Sequence, residues 1–173
     1  PEGGSRRNYY GVNAVPMLFV DGKNVATTSP GVSTAFNNSI ASPAFVAISG
    51  QYTITGTEVG INAEITSYTD IDNATLHVVI FEGITTENKR TNGETEFHHV
   101  MMRLLPDGNG SLTTLQTGVP VQIDHLVDMS GTNVEEMEDL FVAIFLQDNA
   151  TKEVFQAEYA TLTGALIRTD PAN

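Results

Sequence analysis

The sequence predicts a mainly-β protein, with an antiparallel β-sandwich as its body and a short β-hairpin and a helix before it. From about residue 45 onward, apolar and polar residues alternate, which is the pattern of half-buried strands. Turn-forming residues recur between these segments, among them Asn92-Gly93 and Asp107-Gly108-Asn109-Gly110. Hydrophobic residues make up 40% of the 173 residues, which is enough to form a packed core.

The N-terminal elements are predicted from turn and helix-start signals. Residues 1–10 carry Gly, Ser and Arg and are expected to be a frayed lead-in. Asp21-Gly22 is typical of a tight hairpin turn, which places one strand within 12–20 and its return strand at 24–28. A helix is predicted after Ser29-Pro30-Gly31, because apolar residues then recur at the spacing of one helical face. These residues are Val32, Ala35, Phe36 and Ile40.

The sandwich is predicted to begin after Ser42-Pro43, because proline bars the continuation of a helix there. Seven or eight strands with turn residues between them favour an antiparallel sandwich of immunoglobulin or fibronectin type. The chain has no cysteine and no tryptophan, which excludes an antibody-like core. The predicted strands span 45–49, 52–55, 59–66, 76–82, 97–105, 119–127, 140–146 and 154–162.

The charge balance excludes whole classes of partner. The formal net charge is −13 and the isoelectric point is about 4.4. Nucleic acid and anionic membrane surfaces are excluded as partners, because phosphate binding requires clustered Lys and Arg. The basic pairs Arg6-Arg7 and Lys89-Arg90 are predicted to be solvated. No apolar run approaches the roughly 20 residues of a membrane span.

The segment Gly11-Val12-Asn13-Ala14-Val15-Pro16-Met17-Leu18-Phe19-Val20-Asp21-Gly22-Lys23 resembles the closing part of a thioredoxin-like domain. The resemblance implies a cis peptide bond before Pro16, and it implies that Val15 and Pro16 line a substrate groove. Alternatively, the cis bond only shapes the entrance to the strand. Redox-active members of that fold carry a Cys-x-x-Cys pair in a part that lies upstream. This chain has no cysteine, so it cannot itself carry out thiol–disulfide exchange, which needs a thiolate.

Two later stretches carry a second resemblance. Residues 97–106 with the following Asp-Gly-Asn-Gly turn, and residues 142–157, resemble a family of exported Bacteroidetes proteins. In that family, often described as outer-membrane lipoproteins, a thioredoxin-like domain precedes an immunoglobulin-like domain. The resemblance implies a thioredoxin-like remnant at 1–42, an immunoglobulin-like sandwich at 43–165 and a tail at 166–173. It also implies export to the periplasm, outer membrane or cell surface of a bacterium, with any lipid anchor outside this chain.

Oxygen ligands that suit calcium occur in two predicted turns, as Asp70 and Asp72 and as Asp107 and Asn109. Neither turn has the EF-hand pattern, and Asp, Asn and Gly favour turns for local reasons, so turns are favoured over calcium sites. Zinc needs three or four convergent ligands. The histidines show no HxH or HxxxH spacing and are predicted to be structural or solvated, so no metal and no cofactor is expected. They are His77, His98, His99 and His125.

No motif typical of catalysis is found in the sequence. There is no G-x-S-x-G elbow and no phosphate-binding glycine loop, and the acidic run at 133–139 is predicted to be a solvated face. We therefore predict a non-catalytic structural or interaction module of an exported bacterial protein, with another protein or a second copy as its partner. Two alternatives stay open: the accessory and substrate-side part of a thiol–disulfide oxidoreductase, and a subunit of an extracellular assembly.

Overall fold

The computed structural model describes residues 2–87 and 93–164. The N-terminal unit, residues 2–41, consists of helix α1 (Glu2–Tyr9), strands β1 (Leu18–Val20) and β2 (Lys23–Val25), and helix α2 (Ser29–Ile40). The two strands form an antiparallel hairpin. Helix α2 covers the predicted segment but begins at Ser29, three residues before Val32, because the Thr28 side chain accepts a hydrogen bond from the Gly31 N–H and a proline occupies the first turn.

Residues 1–10 are not the frayed lead-in that the sequence predicted, since Glu2–Tyr9 is helical. Glycine and serine in this segment lower its helix propensity, and its apolar residues show no helical period. The helix ends at Tyr9, and Gly11 beyond it has a φ of 65° and donates its N–H to the Asn8 carbonyl at 3.0 Å. Contacts with the sandwich, described below, stabilise α1 more than its own sequence does.

The sandwich packs two sheets face to face. One sheet has four strands in the order β11-β3-β4-β8, and the other joins β10-β9-β5-β6 with β7 also paired to β5. Pairing is antiparallel except between β11 and β3, which run parallel. The strands are β3 (Val46–Thr55), β4 (Glu58–Ser67), β5 (Ile71–Thr85), β6 (Phe97–Leu105), β7 (Ser111–Leu115), β8 (Val121–Asp128), β9 (Leu140–Asp148), β10 (Val154–Tyr159) and β11 (Thr161–Leu162).

The core lies between the two sheets and follows the predicted alternation. Val59, Ile61 and Ile65 of β4 face Val142 and Ile144 of β9, and none of these side chains is more than 1% exposed. The mainly-β prediction is therefore confirmed. The predicted boundary at residues 42–43 lies between α2 and β3, and the predicted tail at 166–173 lies outside the described residues.

Three strand predictions differ from the structure. The segments 45–49 and 52–55 form the single strand β3, because Gly50 continues the strand and a Cβ there would lie 2.6 Å from Ile144 Cδ1. Strand β7 was not predicted, because its Ser-Leu-Thr-Thr-Leu sequence has little apolar content. The segment 154–162 divides at Ala160, where the chain leaves one sheet and joins the other. No helix among residues 2–87 and 93–164 is both long and apolar enough to span a membrane.

Candidate functional site at the junction of the N-terminal unit and the sandwich

The outer face of the five-stranded sheet is partly covered by the N-terminal unit. Alternation along β5 and β9 turns His77, Phe145 and Gln147 away from the core and onto this face. Outward-facing polar residues on a sandwich are ordinarily wet, yet His77 is 1% exposed and Gln147 is not exposed at all. Helix α1 supplies the side chains that bury them.

Arg6 of α1 is the centre of the junction. Its guanidinium donates to Gln147 Oε1 at 2.9 Å and to the Tyr10 hydroxyl at 2.9 Å, and it lies 3.3 Å from His77 Nε2. The same group stacks over aromatic rings, with its central carbon 4.8 Å from the Tyr10 centroid and 5.7 Å from the Phe145 centroid. The prediction that Arg6 is solvated is therefore wrong, because its partners lie on strands far along the chain.

Gln147 completes the network with every polar atom in use. Its amide nitrogen donates to the Tyr10 hydroxyl at 2.8 Å and to the Lys152 carbonyl at 2.7 Å, while its oxygen accepts from Arg6. A buried amide without partners would cost about 1–3 kcal/mol. Because Arg6 and Tyr10 supply partners of the Gln147 amide, docking of the N-terminal unit stabilises Gln147 in its buried position on β9.

His77 is a neutral structural residue in this junction. Its ring stacks on Phe145 with centroids 4.7 Å apart, and burial followed by the charge of Arg6 lowers the pKa of His77 to about 4, against a weaker opposing effect of Asp107. A guanidinium only donates hydrogen bonds, so Nε2 is the acceptor and the proton is assigned to Nδ1. Gly110 fits against this ring, since a Cβ there would lie 2.5 Å from His77 Cε1.

The β1–β2 hairpin docks on the turn between β9 and β10. Gly22 approaches so closely that a Cβ would lie 1.6 Å from the Lys152 carbonyl oxygen, and its φ of 77° suits glycine. The Val154 N–H donates to the Asp21 carbonyl at 3.4 Å. An exposed ion pair joins Lys23 to Glu153 at 3.0 Å. Backbone contact rather than charge therefore sets the position of the hairpin.

Helix and hairpin are also tied to each other and to the same turn. The Tyr10 and Phe19 rings lie 4.7 Å apart, which connects the end of α1 to β1. Lys152 donates from Nζ to the Tyr9 carbonyl at 2.6 Å and lies over the Tyr9 ring at 5.1 Å. The N-terminal unit thus contacts the sandwich through two of its elements at once.

Val15 and Pro16 lie outside this junction. The peptide bond between them is cis, as the thioredoxin-like resemblance implied, and both residues are exposed, Val15 by 88%. The predicted groove role of the pair stays a prediction.

The calcium candidates organise turns. Asp70 Oδ1 accepts from the N–H and the hydroxyl of Thr117, both at 2.8 Å, and these bonds lower the pKa of Asp70 below its usual value. Asp107 Oδ1 accepts from the Asn109 N–H at 2.7 Å. Asp72 lies beside Asn73, which has a φ of 60° at a bulge of β5. Within residues 2–87 and 93–164, no three His, Asp or Glu side chains are grouped to hold a metal ion.

The acidic run at 133–139 was predicted to be a solvated face. In the structure it is instead hydrogen-bonded to the end of β5. Glu82, fully buried, accepts the backbone N–H groups of Glu135 and Glu136 at 3.0 and 2.5 Å. Asp139 accepts the N–H of Ile84 at 2.7 Å. The sequence signal for this contact was a glutamate inside an otherwise apolar strand, which a buried carboxylate with N–H donors explains.

Comparisons with known proteins support the fold. No family model matches the chain, and no curated protein matches it in sequence. Among solved structures, HBP35 of Porphyromonas gingivalis matches with a TM-score of 0.75 and 13% identity, over 98% of this chain and 62% of that one. A domain of the outer membrane lipoprotein Omp28 from Porphyromonas gingivalis matches with a TM-score of 0.48 and 15% identity, over 71% of this chain and 93% of that one.

The chain therefore spans 62% of the length of the HBP35 structure that it resembles. Because 98% of the chain is covered, the likeness includes the N-terminal unit as well as the sandwich. At this level of identity it is a likeness of fold. The fold of this chain is similar to that of the matched part of HBP35 of Porphyromonas gingivalis.

Proposed function

We propose that this chain is a non-catalytic module whose sandwich holds the N-terminal unit in one fixed orientation. The observation that carries the proposal is the Arg6 network, in which one guanidinium engages β5 and β9 through His77 and Gln147. Hydrogen bonds are directional, so a buried set with every Gln147 polar atom in use admits few alternative geometries. The close approach of Gly22 to Lys152 fixes the hairpin independently.

A catalytic role for the junction is not favoured by its chemistry. Burial and the charge of Arg6 lower the pKa of His77 to about 4, yet its side chain is 1% exposed and covered by Arg6 and Phe145. A general base must reach a substrate proton within hydrogen-bond distance, and a sealed imidazole does not. The perturbed histidine is explained by burial in a structural joint.

The setting we propose is an exported protein of a Bacteroidetes-type bacterium, with the sandwich as an immunoglobulin-like domain and the N-terminal unit as the end of a thioredoxin-like domain. The likeness to HBP35 in fold and the resemblances of residues 11–23, 97–110 and 142–157 support this setting. In such a protein the junction would fix the thioredoxin-like domain relative to the sandwich.

A distance measurement by electron spin resonance tests the proposal. The chain has no cysteine, so spin labels attach only to introduced ones. Ser33→Cys on α2 and Thr55→Cys at the end of β3 are both exposed and lie on the two parts whose relation is in question. We expect a single narrow distance distribution in the parent chain. Arg6→Ala should broaden it, because the unit then swings on its connection to β3.

Arg7→Ala is the matched control for that experiment. Arg7 has the same charge and helix, but its side chain is exposed and donates only to the Val12 carbonyl, at 3.1 Å, among the hydrogen bonds described. The distribution should stay narrow in this variant. A broad distribution in the parent chain, or equal broadening by both substitutions, contradicts a fixed joint.

The substrate-side part of a thiol–disulfide oxidoreductase is a second candidate. The observation that favours it is the 88% exposure of Val15, an apolar side chain presented beside Pro16 where the thioredoxin-like resemblance puts a peptide groove. The gene sequence upstream of the codon for Pro1 tests this candidate. A Cys-x-x-Cys pair a few dozen codons earlier supports it, and an uninterrupted thioredoxin-like sequence without that pair contradicts it.

A further inference from the structure

The outer face of the five-stranded sheet is covered over only part of its area. Beside α1 lies an open cleft of about 430 Å³, next to the half that the N-terminal unit buries. Among its lining residues are Val79, Phe81, His99, Met101, Ala143 and Tyr159. Strands β5 and β9, which contact Arg6 through His77 and Gln147, thus also line the cleft, at other positions along their length.

Phe81 and Tyr159 line this cleft, and Phe141 lies next to Phe81 on the neighbouring strand. Phe81 stacks on Phe141 with centroids 5.5 Å apart and planes 17° apart, and Tyr159 lies 6.0 Å from Phe81. Phe141 is 44% exposed and Tyr159 is 65% exposed. Neighbouring exposed aromatic side chains on an outer sheet face mark a binding surface more often than a plain surface.

The covered half shows which chemistry this face accepts. There the Arg6 guanidinium of α1 lies over the Phe145 ring and donates to the hydroxyl of Tyr10, the residue that follows the helix. The two halves are continuous, because a Cβ at Gly3 of α1 would lie 3.8 Å from Met101 Cε, on the lining of the cleft. Helix α1 therefore borders the open half as well as filling the covered one.

Charge favours a cationic occupant. The chain has 21 acidic residues against 8 Lys and Arg, so it attracts basic segments and repels a second copy of itself. The acidic run at 133–139 ends two residues before Phe141, and Asp139 is bound to the Ile84 N–H beyond Phe81. Exposed carboxylates of Glu136 and Glu138 lie in this run. Glu158 is itself among the residues that line the cleft, and a guanidinium is attracted to the face of an aromatic ring.

We propose that this cleft binds a basic–aromatic peptide segment of another protein, with an arginine laid on the exposed rings of Phe141 and Tyr159, which pack against the buried Phe81. The proposal goes beyond the joint but rests on it in one respect, since α1 must stay docked to form one border of the cleft. The arginine and the aromatic side chain of the bound peptide would contact the open half of the sheet face as Arg6 and Tyr10 contact the covered half.

The experiment is a titration of the ¹⁵N-labelled chain with synthetic peptides, followed by amide chemical shifts. The probe is Ac-Gly-Leu-Arg-Tyr-Arg-Gly-NH₂. One control peptide replaces both arginines with citrulline, which keeps the shape and removes the charge, and another replaces Leu and Tyr with serine. We expect shifts in 79–81, 99–101, 141–143 and 157–159. Each control peptide should bind about tenfold more weakly, which corresponds to losing one cation–π or aromatic contact.

Two substitutions and a matched control locate the site. Phe141→Ser and Tyr159→Ser should each weaken binding of the probe about tenfold. Leu126→Ser, which removes a side chain 72% exposed on the other sheet, should leave binding unchanged. Circular dichroism confirms that each variant is folded.

Other outcomes overturn the inference in ways that can be told apart. The first case is one in which the signals of His77 and Gln147 show that α1 is still docked. The cationic occupant is then contradicted if the citrulline peptide binds as tightly as the probe, or if the probe does not bind. Concentration-dependent shifts in the cleft without peptide indicate a second copy and also contradict it. If the His77 and Gln147 signals show α1 undocked in the free chain, the proposed joint itself fails.

Discussion

Arg6 concentrates the interactions of the junction in one side chain. Its guanidinium is the hydrogen-bond donor to Gln147 and Tyr10 and the cation over the surrounding rings. Its removal would leave Gln147 Oε1 and His77 Nε2 buried without their described partner. The cost of an unpaired buried polar group, about 1–3 kcal/mol, exceeds the value of an ordinary surface charge.

Arg6→Ala should therefore lower the free energy of unfolding by about 2 kcal/mol. Arg7→Ala should change it by less than about 0.5 kcal/mol, because the Arg7 side chain is exposed. Urea denaturation followed by circular dichroism measures both. Equal effects of the two substitutions would show that Arg6 acts only through helix charge.

The free energy of unfolding should also decrease as the pH is lowered through a range set by His77. The unfolded chain takes up a proton at this residue near pH 6.5. In the folded chain, burial and then the charge of Arg6 lower the pKa of His77 to about 4, against a weaker opposing effect of Asp107. The contribution is thus complete above pH 6.5, is lost progressively as pH falls from 6.5 to 4, and changes no further below that. The loss should be on the order of 3 kcal/mol, since each pH unit between the two pKa values contributes about 1.4 kcal/mol.

His77→Gln, which cannot titrate, should flatten the curve of unfolding free energy against pH between 6.5 and 4. The carboxyls of Asp70, Asp128 and Asp148, whose pKa values are lowered by hydrogen bonds, affect stability below this range. Urea midpoints at half-unit pH intervals give the comparison. Parallel curves for the two chains would mean that His77 is not the titrating group.

The site was not predictable at the scale of single residues. The sequence shows Arg6 as one of two adjacent charges and His77 as one polar residue in an apolar strand, and 71 residues separate them. Their pairing is decided by the fold, which brings α1 onto the outer face of β5. By contrast, the turn role of Asp107 is local, because it accepts from the Asn109 N–H two residues later, and the Asp-Gly-Asn-Gly pattern favoured it. Asp70 instead accepts from Thr117, 47 residues along the chain.

At the scale of elements, the hairpin depends on a glycine more than on its strands. Strands of three residues contribute little by themselves, and the fit of Gly22 against Lys152 brings the turn onto the sandwich. A side chain at residue 22 would need the hairpin or the β9–β10 turn to move.

Gly22→Ala should accordingly separate the hairpin from the sandwich. Gly56→Ala is the matched control, since Gly56 has a φ of 59° but nothing within 4 Å of its Cβ position. The control should cost about 1 kcal/mol for left-handed backbone alone. Gly22→Ala should cost more and should shift the amide signal of Val154, which donates to Asp21. Equal costs, with the Val154 signal unmoved, would contradict docking through this contact.

Elements with strong periodicity were predictable and weakly patterned ones were not. Strands β4, β5 and β9 carry long apolar runs or alternations, and the helix α2 has an apolar spacing of 3 and 4 residues. Helix α1 has no such pattern, and β7 is short and polar, so both depend on tertiary contacts that no local window contains.

At the scale of the molecule, the N-terminal unit is docked unevenly. Helix α1 and the hairpin contact the sandwich, whereas α2 has no buried residue and its Phe36 and Ile40 are 58% and 66% exposed. The apolar residues of the N-terminal unit therefore differ in their surroundings. Leu18 and Phe19 are half-buried, and Phe36 and Ile40 are open to solvent.

The central claim is that the joint makes the hairpin part of the folded sandwich, and native-state hydrogen exchange tests it most directly. We predict slow exchange for the amides of β1 and β2, comparable to that of the edge strand β10, and faster exchange for the exposed helix α2. Arg6→Ala should accelerate exchange in the hairpin and leave β4 and β5 protected. Exchange of the hairpin at the rate of an unfolded chain, while the sandwich stays protected, would contradict the account.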